Sequence, residues 1–249
     1  PQAGLPLGPA AEGGYTFFLV QFHFDNRWRD EDVRDGSGVR IYFTSKLRES
    51  DAGIFPMGDP LVQLGGVSVG EGLSRHAFAC PGSCSRQWLG TSANDDEEEE
   101  GGVTVFREAL HMHETGTRIV NEHIRDGKVV RKGSADYWDF LQSGLYEVPQ
   151  GLFQVRAGDS FRTTCYYDAD KSISLASDYD EGSGGGTGNG YGIEKEGGPR
   201  TVKFGLGSRD EMCMVYLFYY PRRKGASILT STCGYEWPLP NCRASYEFA

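Results

Sequence analysis

Apolar and aromatic residues recur along this chain in short runs, most of them alternating with polar positions, and turn residues separate one run from the next. A period of two is the mark of a strand, because successive side chains of an extended backbone point to opposite sides. YTFFLVQFHFDN (15–26) and GVRIYFTS (38–45) read as two such strands. DAGIFPM (51–57), RHAFAC (75–80), VTVFREALHMH (103–113), DYWDFL (136–141), GLFQV (151–155), DSFRTTCYYD (159–168) and DEMCMVYLFYYP (210–221) continue the series. TRIVNEHIRDGKVVR (117–131) predicts a hairpin turning at Asp126-Gly127, since the tightest hairpin turns need residues that accept positive φ. No amphipathic helix of more than ten residues stands out. Short strands punctuated by Gly, Pro and Asp predict an all-β chain, an antiparallel jelly-roll β-sandwich with long loop insertions.

Three stretches break the alternation. Residues 1–14 (PQAGLPLGPAAEGG) read as an extended linker. Asp95–Glu100 is an unbroken acidic run beside Gly101-Gly102. It reads as a solvated acidic loop, with calcium capture as the alternative. Residues 181–200 (EGSGGGTGNGYGIEKEGGPR) lack the strand–loop–helix context of a phosphate loop, and read as a flexible surface insertion.

Charge and cysteine usage narrow the function classes. A net charge of −10 over 249 residues excludes a nucleic-acid surface, which needs clustered Lys and Arg. No apolar run is long enough to span a bilayer in this segment. The six cysteines (80, 84, 165, 213, 233 and 242) lack paired metal-ligand spacing. Their even number instead predicts three disulfides and an oxidising compartment. The chain starts at Pro1 and shows no signal peptide, so we expect a segment of a longer secreted or secretory-lumenal protein.

The candidate chemistry lies in HMHETG (111–116). Two histidines at i and i+2 share one side of an extended backbone. Strict alternation puts Val103, Val105, Arg107, Ala109, His111 and His113 on one face, and Thr104, Phe106, Glu108, Leu110 and Met112 on the other. Phe106, Leu110 and Met112 would then face the core, leaving the histidines on a functional or solvent face. The pair alone fits either a metal site or two surface histidines. His76 and His123 read as ordinary strand residues. Met212, in EMCMVY, reads either as core or as a soft thioether ligand; two imidazoles and a thioether suit copper better than zinc.

At this point the chain resembles a known family. HMHETG, EMCMVYLFYYP, and LVQFHFDN followed by SGVRIYFTSKLRESDAGIF look like the copper type II, ascorbate-dependent monooxygenases, whose branches include the dopamine and peptidylglycine enzymes. The likeness runs from about residue 3 to residue 233, with three motifs in family order. It implies copper as cofactor, ascorbate as reductant, and hydroxylation of an activated C–H of a small molecule by O2. Residue by residue, it implies that His111, His113 and Met212 hold the catalytic copper. His23 matches one ligand of the second, electron-storing copper. No His-His pair is present to complete that second centre. Residues 1–30 are therefore expected to be a linker and the last strand of a preceding copper domain, with 31–249 as the catalytic domain. The N-terminal copper domain of the parent chain becomes an expected partner.

The resemblance also bears on substrate and disulfides. Peptidylglycine enzymes carry Arg two residues before the first ligand histidine and Asn two after the ligand methionine. Those positions are Ala109 and Met214 here, while Tyr216 matches a substrate-contacting tyrosine. The likeness is therefore nearer to the dopamine branch. It implies the pairs Cys165–Cys213, Cys80–Cys233 and Cys84–Cys242, with a swap of the last two as the alternative. Two rival readings are a cupin dioxygenase and a non-catalytic secreted copper-binding module. The cupin pattern fails at Arg118 and Gln154, where it needs Glu and His.

Overall fold

The computed structural model describes residues 2–9, 14–17, 20, 22, 24, 30–58, 67–69, 73–89, 102–140, 146–147, 151–168, 200–202, 211–223, 233 and 245–248. Strands β1 (Ala3–Gly4), β2 (Ser50–Asp51), β3 (Gly53–Gly58), β4 (Val67–Val69) and β5 (Leu73–Cys80) precede the helix α1 (Gly82–Leu89). Then follow β6 (Val103–Met112), β7 (Gly116–Arg125), β8 (Lys128–Ala135), β9 (Tyr146–Glu147), β10 (Phe153–Val155), β11 (Ser160–Asp168), β12 (Arg200–Val202), β13 (Cys213–Tyr220) and β14 (Ser245–Phe248). One five-stranded sheet runs β10-β6-β13-β3, with β9 also on β6. The other runs β14-β5-β11-β7-β8. Pairing within both is antiparallel, as the alternating sequence implies.

The two sheets share one core. Phe55, Leu110, Met112, Val215 and Leu217 come from the first sheet, and Phe78, Ile119, Phe161, Cys165 and Tyr167 from the second. Burying side chains of this size contributes roughly 1.5–3 kcal/mol each, before the entropy of ordering them. β11 keeps a strict period of two, with Phe161, Thr163, Cys165 and Tyr167 all inward. Trp88 of α1 stacks on Phe55 at 4.0 Å and meets Tyr219 edge-on at 4.8 Å, which seats the helix against the core. Cys165–Cys213 joins β11 to β13 across the sheets. Cys80–Cys233 joins β5 to a residue bridged to Met57 of β3. Cys84 is also disulfide-bonded, and Cys242 lies outside the described residues.

The predicted hairpin forms. β7 and β8 meet at Asp126 (φ 52°) and Gly127 (φ 71°), both in the left-handed region that a tight hairpin turn requires.

Several expectations need correction. GVRIYFTS (38–45) is no strand: it is irregular, with Tyr42 and Phe43 more than four-fifths exposed. The described residues of 15–26 form no strand either, beyond the Leu7–Tyr15 bridge. Alternation presents an apolar face, but a strand exists only when a second strand pairs with it, and neither segment has one among the described residues. Part of the expected linker does pair, as β1 lies parallel to β2. DYWDFL forms no strand over its described residues, because Trp138 is drawn into the turn after β6. The acidic run and nearly all of the Gly-rich insertion fall outside the described residues; Arg200, at the end of the latter, opens β12.

The face assignment on β6 is half right. Arg107 pairs with Phe218 but Val105 pairs with Tyr219, so Phe106 is an extra residue in a β-bulge. A bulge reverses the facing of everything beyond it. Val103 and Val105 are therefore fully buried in the core, and Phe106 is 38% exposed. Past the bulge, Glu108, Leu110 and Met112 face inward. Ala109 and His111 occupy the opposite face, as the alternation predicts for that part of the strand.

Candidate metal centre

The register of β6 on β13 brings the candidate residues together. Ala109 lies opposite Tyr216, Leu110 opposite Val215, His111 opposite Met214, and Met112 opposite Cys213. The ladder ends at that pair, and His113 and Met212 are the next residues along the two chain segments. By the period of two, Ala109, His111, His113, Met212, Met214 and Tyr216 fall on one side of the sheet, while Leu110, Met112, Cys213 and Val215 fill the core on the other.

The two imidazoles stand with centroids 5.0 Å apart and planes at 82°. His111 is half-buried, His113 is buried, and Met212 and Met214 are each 8% exposed. This face is therefore a covered site and not a wet surface. Trp138 approaches His111 edge-on at 6.2 Å, and Phe140 lies 5.3 Å from His113.

Local structure explains how the end of β6 is held. His113 begins a turn closed by the Gly116 amide donating to its carbonyl at 3.2 Å. The Trp138 indole Nε1 donates to the same carbonyl at 3.1 Å. Gly116 is needed there: a Cβ would sit 2.8 Å from Cβ of Met112. The Asp168 amide at the end of β11 donates to the Thr115 carbonyl at 2.8 Å.

Sequence reasoning overlooked one residue at the centre of this arrangement. Glu211, fully buried, sends its side chain into the turn. Its Oε2 accepts from the amides of His113 and Met212, each at 2.8 Å. Its Oε1 accepts from the Thr115 amide at 3.1 Å and the Thr115 hydroxyl at 2.6 Å. Burial pushes its carboxyl up to about 7, against the pull of the Thr115 hydroxyl and the three amides. The available signal was a charged residue directly preceding a buried Met-Cys pair, which is costly unless the charge is hydrogen-bonded.

His76 and His123 stand elsewhere. His76 is buried in β5, and burial lowers its pKa to about 4. His123 Nε2 lies 2.7 Å from Asp159 Oδ2. His23 lies outside the described residues. Among the described residues no three His, Cys, Asp or Glu side chains gather as a metal site. Two imidazoles and a thioether on neighbouring strands do fit copper, because imidazole tolerates both oxidation states and thioether favours the reduced one. No helix among the described residues is long and apolar enough to cross a membrane, and the disulfides fit an oxidising compartment.

Known sequences carry the same signal. The profile of the copper type II ascorbate-dependent monooxygenase C-terminal domain matches residues 50–177. Tyramine beta-hydroxylase of Caenorhabditis briggsae is 30% identical over 88% of this chain and 31% of that protein. DBH-like monooxygenase protein 1 of Gallus gallus is 27% identical over 89% of this chain and 31% of its own length. Dopamine beta-hydroxylase of Canis lupus familiaris is 26% identical over 89% and 29% respectively. The chain thus spans under a third of the length of these relatives. With the profile covering half of its residues and the fold all-β, the chain belongs to the copper type II ascorbate-dependent monooxygenases, a family defined by that metal and that reductant.

Proposed function

We propose that this chain is the catalytic half of a monooxygenase that hydroxylates an activated C–H of a small molecule, with His111, His113 and Met212 holding its copper. The observation that supports this reading is the end of the β6–β13 ladder: His111 lies opposite Met214, and His113 and Met212, the next residues beyond the last pair, both donate their amides to Oε2 of Glu211. Copper held there would supply one-electron redox chemistry for a hydroxylation in which one oxygen atom of O2 enters the C–H bond and the other leaves as water, with ascorbate as the source of the two electrons. The protein's own part is to hold the donors, exclude water and present the substrate. His111, the less buried imidazole, stands on the side toward Met214 and Tyr216, while Phe140 lies against His113.

The substrate side carries Met214 and the Tyr216 phenol beside Ala109. Ala109 offers no guanidinium, and its neighbour across β9 is Glu147. The nearest cation on β6, Arg107, pairs with Glu147 at 2.9 Å and lies over Phe218. This disfavours a peptide carboxylate and favours a small arylalkylamine, in keeping with relatives named for tyramine and dopamine hydroxylation. Residues 1–30 and His23 are read as the end of a preceding copper domain, which stores the second electron. The parent protein is read as secreted or lumenal.

Ascorbate-dependent O2 uptake by the full-length protein, with tyramine or dopamine as the first substrates, tests the reading. We expect uptake matched by hydroxylated product, and loss of both in His113→Ala. A full-length, copper-loaded protein that takes up no O2 with either amine would favour the non-catalytic copper-binding module instead.

A further inference from the structure

We propose that Glu211 is a positioning residue that fastens the imidazole arm of the copper site to its thioether arm, by accepting the amide protons of His113 and Met212 on one carboxylate oxygen. The inference rests on the reading of His111, His113 and Met212 as ligands.

The ladder between β6 and β13 ends at the pair Met112–Cys213. The next residues along the two strands, His113 and Met212, lie beyond that last pair. Their amides both turn to Oε2 of Glu211, at 2.8 Å each. The carboxylate thus continues the pairing with a side chain where the backbone ladder stops. Oε1 takes the Thr115 amide and hydroxyl, which holds the turn that follows His113. Three N–H donors and one O–H donor converge on its two oxygens, and Glu211 is fully buried, so water does not compete for them.

The consequence falls on the thioether. Methionine is a weak, flexible ligand with three rotatable bonds, so its contribution depends on a fixed backbone. On the far side of Met212, the Cys165–Cys213 disulfide anchors the strand. On the near side Glu211 supplies such an anchor, and it is anchored in turn to the histidine arm. Groups behind the ligands set the orientation of the ligands themselves. Glu211 touches neither copper nor substrate; it acts through the backbone of the residues that do.

Two measurements on the full-length protein decide the matter. First, hydrogen exchange of the copper-free wild type: the amides of His113 and Met212 should exchange as slowly as those in the middle of β6 and β13. Second, X-ray absorption and competition titration with Cu(I), comparing wild type, Glu211→Gln and Thr115→Val. In Glu211→Gln an NH2 group replaces one acceptor and faces N–H donors. We expect it to keep two imidazoles, to lose or weaken the sulfur scatterer, and to bind Cu(I) about 10–100-fold more weakly. Thr115→Val leaves both bonds to Oε2 and should keep the sulfur. The proposal is overturned if Glu211→Gln binds Cu(I) with wild-type affinity and sulfur. It is equally overturned if the two amides exchange as fast as the exposed Asp126–Gly127 turn, a result that does not depend on the variant folding. A wild type with no sulfur scatterer overturns the ligand assignment itself, and the positioning role with it.

Discussion

Two buried carboxylates organise two different ends of this sandwich. Asp159 receives Arg125 Nε on Oδ1 at 2.8 Å, and Arg125 Nη2 on Oδ2 at 2.7 Å. His123 Nε2 and the Arg156 amide also meet Oδ2, at 2.7 and 2.8 Å. Burial pushes this carboxyl up, but His123, Arg125 and the Arg156 amide outweigh it and hold it well below the usual carboxylate range. Glu211 has as many donors, but all of them are neutral amides or a hydroxyl, and burial prevails. The difference is an imidazole and a guanidinium. At Asp159 the protein supplies its own cation, and the result is a clasp between β7 and the loop before β11. At Glu211 the donors are the backbone of the metal-binding segments, and the result is a scaffold for a site whose cation comes from outside.

The largest effect we expect comes from breaking the first cluster. Asp159→Ala should cost about 3 kcal/mol, because it leaves the Arg125 charge and a buried imidazole without their partner. Urea unfolding measures the loss, while Cu(I) binding by the folded protein should stay at the wild-type level. A large loss of copper affinity would mean that the two clusters are one unit. Gly116→Ala sharpens the contrast from the other end. Its Cβ must displace Met112, which stands between the two histidines. Overpacking of this kind costs about 1–3 kcal/mol, and it should weaken Cu(I) binding as well as lower the thermal midpoint.

The smallest effect is one of pH. Asp159 has a lowered pKa in the folded protein, so the stability it contributes is present above its unfolded value of about 3.9 and is lost as pH falls below it. Asp159→Asn removes that contribution, so the variant's stability should fall less steeply than the wild type's from about pH 4 downward. Urea midpoints measured across that range decide it; identical slopes would remove Asp159 from the acid response.

The same contrast shows what the sequence could and could not disclose. The strands, the Asp126-Gly127 hairpin and the histidine pair are local patterns, set by alternation and turn chemistry. Met212 was a candidate from its soft thioether, but the core reading stayed open beside it until family order favoured the ligand. The bulge at Phe106 was hidden because it belongs to the register between β6 and β13, not to β6 alone. It moved Val103 and Val105 into the core and Phe106 out of it. Trp138 sits in a segment with a strand's alternation, but its indole is committed to the His113 carbonyl. Glu211 reaches a turn 96–98 residues earlier in the chain, a contact without local signature. GVRIYFTS shows the converse: a strand pattern gives no strand where, among the described residues, no partner pairs with it.

The most direct test of the central claim is X-ray absorption of the Cu(I)-loaded full-length protein, with wild type compared to Met212→Ile. The His111/His113/Met212 site predicts a sulfur scatterer in the wild type that disappears in the variant while the imidazole signal remains. A wild type without sulfur, or a variant that keeps it, would contradict the assignment of Met212 as the third ligand.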